Sequence, residues 1–291
     1  MGRFEGTGVA IVTPFNNDLS IDYISFEKII NHVISGGLDY IVALGTTGET
    51  ATISKEEKID IIEFCKQKIA GRVPLVVGAG GYCTSEVVDT IKSVDSKGIS
   101  GWLSVAPYYN KPSQKGIFEH FKAIAKSTAL PVIIYNVPGR TCSNITAETA
   151  IELAKTCENI VAVKEASGNM CQIMQILKDK PEDFDVLSGD DALTLPMISL
   201  GAKGVISVVA NSHPQEYSTL VKSALNGDFE TAGKYQYKLL EYIGALFAEG
   251  SPSGIKAALE IMGLTKNFVR LPVVPVSDKH YVEIQRLLNE L

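Results

Sequence analysis

Short apolar runs recur along the whole chain, separated by segments with helical periodicity. The runs are continuous rather than alternating in polarity, which is typical of parallel strands that are covered on both faces. Those of strand length are VAIVTPF (9–15), YIVALG (40–45), PLVVGAG (74–80), GWLSVAP (101–107), PVIIYNVP (131–138), NIVAVKEA (159–166), FDVLSGD (184–190) and GVISVVAN (204–211).

The segments between these runs carry helix signals. SKEEKIDIIEFCKQKIA (54–70) is the clearest, because Ser54 can cap a helix and Glu57 completes a capping box. Its apolar residues approximate one helix face. That face comprises Ile59, Ile62, Phe64, Cys65 and Ile69. SFEKIINHVISGG (25–37) ends in glycine, a common helix stop.

Repeated strand–helix units predict an α/β protein with the architecture of a (β/α)8 TIM barrel. We expect residues 1–225 to form this catalytic barrel. From residue 226 onward the pattern is helical only, and TAGKYQYKLLEYIGALFAEG (231–250) is its longest segment. Residues 226–291 are therefore expected to form a C-terminal helical region. A doubly wound sheet is the alternative, although it rarely uses so many even units.

Composition narrows the function classes. The chain has 291 residues, of which 45% are hydrophobic and 21% charged, enough for one large core. Its net charge of -6 argues against a nucleic-acid or anionic membrane surface. No apolar run is long enough to span a bilayer, and no signal-peptide pattern is found at the N-terminus.

Cysteine and histidine usage points to a reducing compartment. The five cysteines form no CxxC pair and the four histidines stand apart in sequence, so we expect free thiols and no metal site. Together with the absence of a signal-peptide pattern, this predicts a cytoplasmic protein.

Polar and glycine-rich segments fall at the carboxyl ends of the predicted strands. Barrels of this type place their chemistry at that end. The segments are GTTGE (45–49), PYYNKP (107–112), YNVPGRT (135–141), KEASGN (164–169) and LSGDD (187–191). The sequence therefore predicts an active site where these segments meet.

Lys164 brings a charge to the end of the apolar run IVAV. Strand alternation places it on the same face as Ala162, and places Tyr135 on the same face as Ile133 in the preceding strand. Consecutive strands lie about 4.8 Å apart, so the amine and the phenol meet if both faces point into the barrel. Desolvation disfavours an ammonium ion, and a neutral amine can attack a carbonyl to form an imine.

Lys164 and the threonines of GTTGE each have a structural interpretation as well as a functional one. Lys164 could instead be paired with Glu165 or Asp190 at a strand end, and position alone leaves the two interpretations about even. Glu165 falls on the opposite face of the strand, which weakens that pairing. Thr46 and Thr47 of GTTGE can direct backbone N–H groups and hydroxyls at a carboxylate. An ordinary strand-to-helix turn would look the same.

Six segments taken together carry a resemblance. GTTGE, PYYNKPSQ, YNVPGRT, VKEASGN, LSGDD and GVISV occur in this order at strand ends. From AIVTPF (10–15) to RLPVVPVS (270–277) the chain resembles the dihydrodipicolinate synthase family, pyruvate-dependent class I lyases that work through a lysine imine. The resemblance implies condensation of pyruvate with L-aspartate 4-semialdehyde, in diaminopimelate and lysine biosynthesis.

The resemblance also implies residue roles. Lys164 matches the imine-forming lysine, and Tyr135 the acid–base phenol beside it. Thr46 and Thr47 match the pair that meets the pyruvate carboxylate. Thr46 also matches the centre of a proton relay, Tyr135–Thr46–Tyr109, in which Tyr109 reaches in from a neighbouring subunit.

Further matches concern the second substrate and the assembly. Arg140 matches the arginine that receives its carboxylate, while Gly189 and Ile206 match residues whose backbone lines the pocket. A homo-oligomer is implied, either a dimer or a tetramer of two dimers. The resemblance implies no metal, nucleotide or pyridoxal cofactor, and no nucleic-acid or membrane partner.

Rival functions differ from this one in specific ways. Sialic acid lyases and keto-deoxy sugar-acid aldolases share the lysine and the tyrosine. Arg140 directly after VPG and the second threonine of GTTGE favour the synthase. A pyridoxal enzyme could use a barrel lysine, but no dedicated phosphate loop is evident. A non-catalytic binding barrel is disfavoured by Lys164, Tyr135 and Thr46 occurring together.

Overall fold

A closed barrel of parallel strands organises the chain. The computed structural model describes residues 4–291, so the first three residues of the predicted barrel lie outside it. Within that range the sheet runs in chain order from the first strand to the eighth. The strands are β1 (Gly6–Ala10), β2 (Tyr40–Ala43), β3 (Leu75–Gly78), β4 (Gly101–Val105), β5 (Val132–Asn136), β6 (Ile160–Glu165), β7 (Asp185–Ser188) and β8 (Gly204–Ser207).

Helices follow the strands around the barrel and continue beyond it. Over residues 4–291 they are α1 (Tyr23–Ser35), α2 (Lys55–Ile69), α3 (Thr84–Ser93), α4 (Gln114–Lys126), α5 (Pro138–Thr141), α6 (Ala147–Thr156), α7 (Met170–Asp179), α8 (Thr194–Ser199), α9 (Pro214–Leu225), α10 (Phe229–Ala248), α11 (Ser253–Ile261) and α12 (Asp278–Glu290). Because β8 pairs with β1, the predicted (β/α)8 barrel is confirmed and the doubly wound sheet is excluded.

The first strand lies earlier than the apolar run predicted. It was expected over 9–15 but spans Gly6–Ala10. The glycines of this strand carry no apolar signal, yet Gly8 is needed where the strand passes an aromatic ring. A Cβ built at Gly8 would lie 2.2 Å from Cε2 of Tyr40. The apolar pattern therefore missed the start of the strand, because close packing inside the barrel requires glycine there.

Helix α2 forms with the cap that the sequence predicted. The Ser54 hydroxyl accepts from the backbone N–H of Glu57, and the Glu57 carboxylate accepts from the backbone N–H of Ser54. Most of the predicted apolar face packs on the barrel, and Phe64 is partly buried. Ile59 was assigned wrongly, because its side chain is 49% exposed on the solvent side.

Two apolar layers fix the direction of the strand side chains. Ile133, Tyr135 and Ala162 belong to the cluster inside the barrel. Ile134 and Val163 belong to the layer between the sheet and the surrounding helices. The alternation predicted for β5 and β6 is thus confirmed, and it turns the side chain after Val163 inward.

The helical C-terminal region is confirmed. Helix α10 packs along α9, and both α11 and α12 pack on α10. Asp228 caps α10 by accepting from the backbone N–H of Thr231 at 3.0 Å. The division of the chain at residues 225 and 226 stays a prediction. In the described range, no helix has both the length and the apolar character that crossing a bilayer requires.

Candidate active site

Lys164 and Tyr135 meet inside the barrel mouth. They are paired in register on β6 and β5. The Lys164 Nζ lies 4.3 Å from the centroid of the Tyr135 ring. The two residues are only 5% and 6% exposed. The predicted encounter of amine and phenol is confirmed.

Neither carboxylate proposed as a structural partner pairs with this amine. Glu165 points out of the barrel, where it accepts from the Asn136 side chain at 3.0 Å. Asp190 accepts from the backbone N–H of Ala192 at 3.0 Å. Among residues 4–291, Lys164 forms no ion pair. The geometry therefore favours a reactive amine over a structural charge.

Gly189 lies against the stem of Lys164. A Cβ built at residue 189 would lie 2.9 Å from Lys164 Cε and 2.7 Å from Ala166 Cβ. Those separations are too short for any side chain, so glycine is what allows the lysine to extend across the end of β7. The Gly189 backbone N–H also donates to the Glu165 carbonyl at 2.8 Å.

Ile206, the other predicted pocket residue, lies inside the barrel on β8. It is buried and belongs to the same interior cluster as Tyr135. The strand end beside it is fixed by the buried Asp191, whose carboxylate accepts from the backbone N–H groups of Val208 at 3.0 Å and Val209 at 3.2 Å. Burial raises the pKa of Asp191. The sequence did not predict this second carboxylate of LSGDD as a support for β8.

Thr46 and Thr47 lie in a tight turn at the carboxyl end of β2, the same end of the barrel as Lys164. Thr47 is buried and Thr46 is exposed. The turn is closed by the Gly48 N–H donating to the Gly45 carbonyl at 3.1 Å. Their contact with a substrate carboxylate stays a prediction.

Tyr109 and Arg140 are directed away from the interior of their own chain. Tyr109 is 89% exposed and has a left-handed backbone, with φ of 72°. Arg140 is exposed on α5, the short helix that directly follows β5. The structure thus does not bring either residue into the buried cluster around Lys164.

A polar cluster on the outer face of β5 and β6 was not predicted. Asn136 and Glu165 are both buried and come directly after Tyr135 and Lys164. The Gln172 side chain on α7 also donates to Glu165, at 3.2 Å. This cluster ties the two strands together immediately behind the amine and the phenol.

A second buried lysine was also missed. Lys256 on α11 is 0% exposed and forms an ion pair with Glu49, the last residue of GTTGE. Burial lowers the pKa of Lys256 to about 8, although Glu49 acts in the opposite direction. Its signal was available, since GIKAALEIMG places a lysine inside an apolar run much as IVAVKEA does.

Comparisons with known proteins agree with this geometry. Residues 3–291 match the model of the dihydrodipicolinate synthetase family. Over 289 residues the chain is 47% identical to the 4-hydroxy-tetrahydrodipicolinate synthase of Parabacteroides distasonis, covering 99% of this chain and 97% of that protein. It is also similar to two solved structures of dihydrodipicolinate synthase. That from Aquifex aeolicus has a TM-score of 0.96 and 42% identity, and that from Thermotoga maritima 0.97 and 37%. Each of these two structural matches covers 99% of this chain and 98% of the other chain.

Proposed function

The chain belongs to the dihydrodipicolinate synthetase family and is a lyase of that family, and on this premise we propose that it condenses pyruvate with L-aspartate 4-semialdehyde through an imine on Lys164. This is 4-hydroxy-tetrahydrodipicolinate synthase chemistry. The observation that carries the proposal is the buried Lys164 amine, which has no carboxylate partner among residues 4–291 and is held against the Tyr135 ring.

The proposed reaction begins at the Lys164 nitrogen. The neutral amine attacks the keto carbon of pyruvate, and loss of water gives the imine. The imine draws electrons from the methyl carbon, which loses a proton and becomes an enamine. That carbon attacks the semialdehyde carbonyl, which takes up a proton. The amine of the second substrate then displaces Lys164 as the ring closes, so the lysine is regenerated.

Tyr135 is proposed to move the protons that these steps require. A phenol can both donate and accept a proton, and its ring lies directly beside the amine. Thr46 and Thr47 are proposed to hold the pyruvate carboxylate through hydroxyl and backbone N–H groups at the end of β2. Gly189 and Ile206 complete the pocket on the side of β7 and β8.

Arg140 is proposed to receive the carboxylate of the second substrate. A planar guanidinium binds both oxygens of a carboxylate. In the described part of the chain Arg140 forms no ion pair, and it lies exposed beside the end of the strand that carries Tyr135. Its charge is therefore available to a substrate that enters from solvent.

A second copy of the chain is proposed to complete the site. Tyr109 exposes 89% of its surface, which supports its assignment to a neighbouring subunit's relay with Tyr135 and Thr46. The assembly would be a dimer or a tetramer of two dimers. We place the reaction in the cytoplasm, in diaminopimelate and lysine biosynthesis.

Trapping of the imine tests the proposal directly. The protein is incubated with pyruvate, reduced with borohydride, digested and mapped by mass spectrometry. A carboxyethyl group on Lys164 is expected, and Lys164→Arg should abolish it. Lys256, which is also buried, serves as the internal control and should stay unlabelled. A label at another residue, or no label on the wild-type protein, would overturn the proposal.

A further inference from the structure

A buried ion pair joins the C-terminal helical region to the turn that carries Thr46 and Thr47. Lys256 and Glu49 are both buried, and they contact one another directly. Lys256 also donates to the Phe268 carbonyl at 2.9 Å, and Glu49 accepts from the backbone N–H of Arg270 at 3.0 Å. Charges this deep are tolerated only when they are paired and hydrogen-bonded, as these are.

Arg270, also in the C-terminal region, binds the segment that follows the Thr46–Thr47 turn. The Arg270 guanidinium donates two bonds to the Glu57 carboxylate on α2, at 2.6 Å and 2.8 Å. It also donates to the Thr52 carbonyl at 3.0 Å. Lys256 and Arg270 together therefore bind the chain at residues 49, 52 and 57, which lie before, within and after the short 3-10 helix Thr50–Thr52.

Glu49 is coupled to the two threonines through the backbone. Its N–H donates to the Thr46 carbonyl at 3.0 Å, and it has a left-handed conformation with φ of 54°. A residue other than glycine rarely adopts this left-handed conformation unless contacts with its surroundings stabilise it. The carboxylate anchored on Lys256 supplies that hold. Thr13 fixes the neighbouring Gly48 carbonyl with a bond of 2.8 Å.

We propose that Glu49 and Lys256 are positioning residues that hold the Thr46–Thr47 turn in the shape that receives the pyruvate carboxylate. The inference rests on the proposed function, because it assigns that carboxylate to the turn. It makes the C-terminal helical region part of the pyruvate site, although no side chain of α11 reacts.

The charge on Lys256 depends on Glu49. Burial opposes the ammonium ion and lowers the pKa of Lys256, whereas the carboxylate raises it. Removing either partner leaves the other buried without its counter-charge. The turn should then shift to relieve that charge, which changes substrate affinity and not only stability.

Two variants and one control test the inference. Lys256→Met replaces the amine with an apolar chain of similar length, and Glu49→Gln keeps the shape and an acceptor oxygen while removing the charge. Ser253→Ala is the control in the same helix. It loses a partly buried hydrogen bond of 2.7 Å to the Val274 carbonyl but does not touch the turn.

The readouts are steady-state kinetics for each substrate, thermal unfolding and the pyruvate concentration that half-saturates borohydride trapping. Each variant should raise the KM for pyruvate and that half-saturating concentration roughly tenfold. The kcat and the KM for the semialdehyde should change by no more than about twofold. Ser253→Ala should lower the unfolding temperature and leave all of these values unchanged.

The outcomes separate this inference from the proposed function. Trapping on Lys164 at saturating pyruvate with an unchanged KM in both variants would overturn the positioning role and leave the imine reaction standing. A raised KM in Ser253→Ala as well would also overturn it, because general loosening of α11 would then suffice. If Lys256→Met does not fold, Glu49→Gln decides the matter alone. Failure of trapping in the wild-type protein would remove the proposed function itself.

Discussion

Gly189 leaves no room for a side chain above the Lys164 stem, because a Cβ at residue 189 would lie 2.9 Å from Lys164 Cε. The nearest atom to that added carbon is Ala166 Cβ at 2.7 Å, so a side chain at residue 189 would clash with Ala166 as well as with the lysine. The absence of a side chain at residue 189, directly after β7, thus makes room for the Lys164 stem.

Gly189→Ala should therefore misplace the amine. We expect kcat/KM to fall roughly 100-fold, the order of loss that a displacement of about 1 Å produces. Borohydride trapping on Lys164 should slow in parallel. Gly244→Ala is the matched control, since an added Cβ in α10 meets nothing within 4 Å. That change should leave kinetics unaltered. Wild-type trapping rates in Gly189→Ala would contradict the prediction.

Tyr135→Phe should separate the ring from its hydroxyl. The ring that packs against Lys164 is kept, so the fold and the position of the amine should be preserved. Loss of the proton-transferring group should lower kcat by about 100-fold or more. The measurements are the pre-steady-state rate of imine formation and the steady-state kcat.

Tyr40→Phe controls for loss of a buried phenol hydroxyl at the opposite end of the barrel. Tyr40 donates to the Val205 carbonyl at 3.1 Å, so its loss should cost about 1 kcal/mol of stability. Catalysis should not change. Equal kcat values for Tyr135→Phe and Tyr40→Phe would remove Tyr135 from the reaction.

Arg140→Ala should divide the two half-reactions. Imine formation with pyruvate should continue, because Arg140 lies outside the buried cluster around Lys164. The KM for the semialdehyde should rise roughly 10- to 100-fold, the loss of a charge-assisted contact with a carboxylate. Arg286→Ala removes an exposed arginine on α12 and should have no effect. If Arg140→Ala used the semialdehyde as well as the wild type does, the semialdehyde would be rejected as the second substrate. Sugar-acid aldehydes would be tested next.

The fold was predictable wherever apolar runs coincide with strands. That pattern placed β2 to β8 correctly to within a few residues, since each is covered on both faces. It failed at Gly6–Ala10, where close approach of the Tyr40 ring requires glycine and the apolar signal disappears. It failed again at Ile59, because an approximate helix face does not decide which residue at its margin is covered.

Strand alternation predicted the meeting of Lys164 and Tyr135, because both lie within regular strands. It could not predict the Glu49–Lys256 pair, whose members are 207 residues apart and lie on a turn and a helix. Alternation also turned Glu165 outward correctly, but its side-chain partners depend on how α7 packs. Local pattern thus gave the central pair, whereas the contacts around it depend on tertiary packing.

Acid should weaken the contact between α2 and the C-terminal region. Hydrogen bonds from Arg270 lower the pKa of Glu57 to about 2, from an ordinary value of 4.5. Because the folded pKa is the lower one, this stabilisation is fully present above pH 4.5 and is lost as the pH falls toward 2. The full shift corresponds to about 3 kcal/mol. Partial exposure of the pair reduces this to about 1–2 kcal/mol.

Glu57→Gln isolates that contribution, because glutamine can still accept from the Ser54 N–H and keep the helix cap. Urea unfolding of the wild type and Glu57→Gln is measured at the same protein concentration. At pH 7 the free energy of unfolding of Glu57→Gln should be about 1–2 kcal/mol lower than that of the wild type. The deficit should shrink between pH 4.5 and 2.5, because Glu57 of the unfolded wild type takes up a proton in this range while Glu57 of the folded protein, with its lower pKa, stays largely ionised. Glu230→Gln, which removes an exposed pair with Lys234, should show no measurable deficit. A Glu57→Gln deficit that stays constant down to pH 2.5 would mean that packing, and not the charge pair, joins Arg270 to α2.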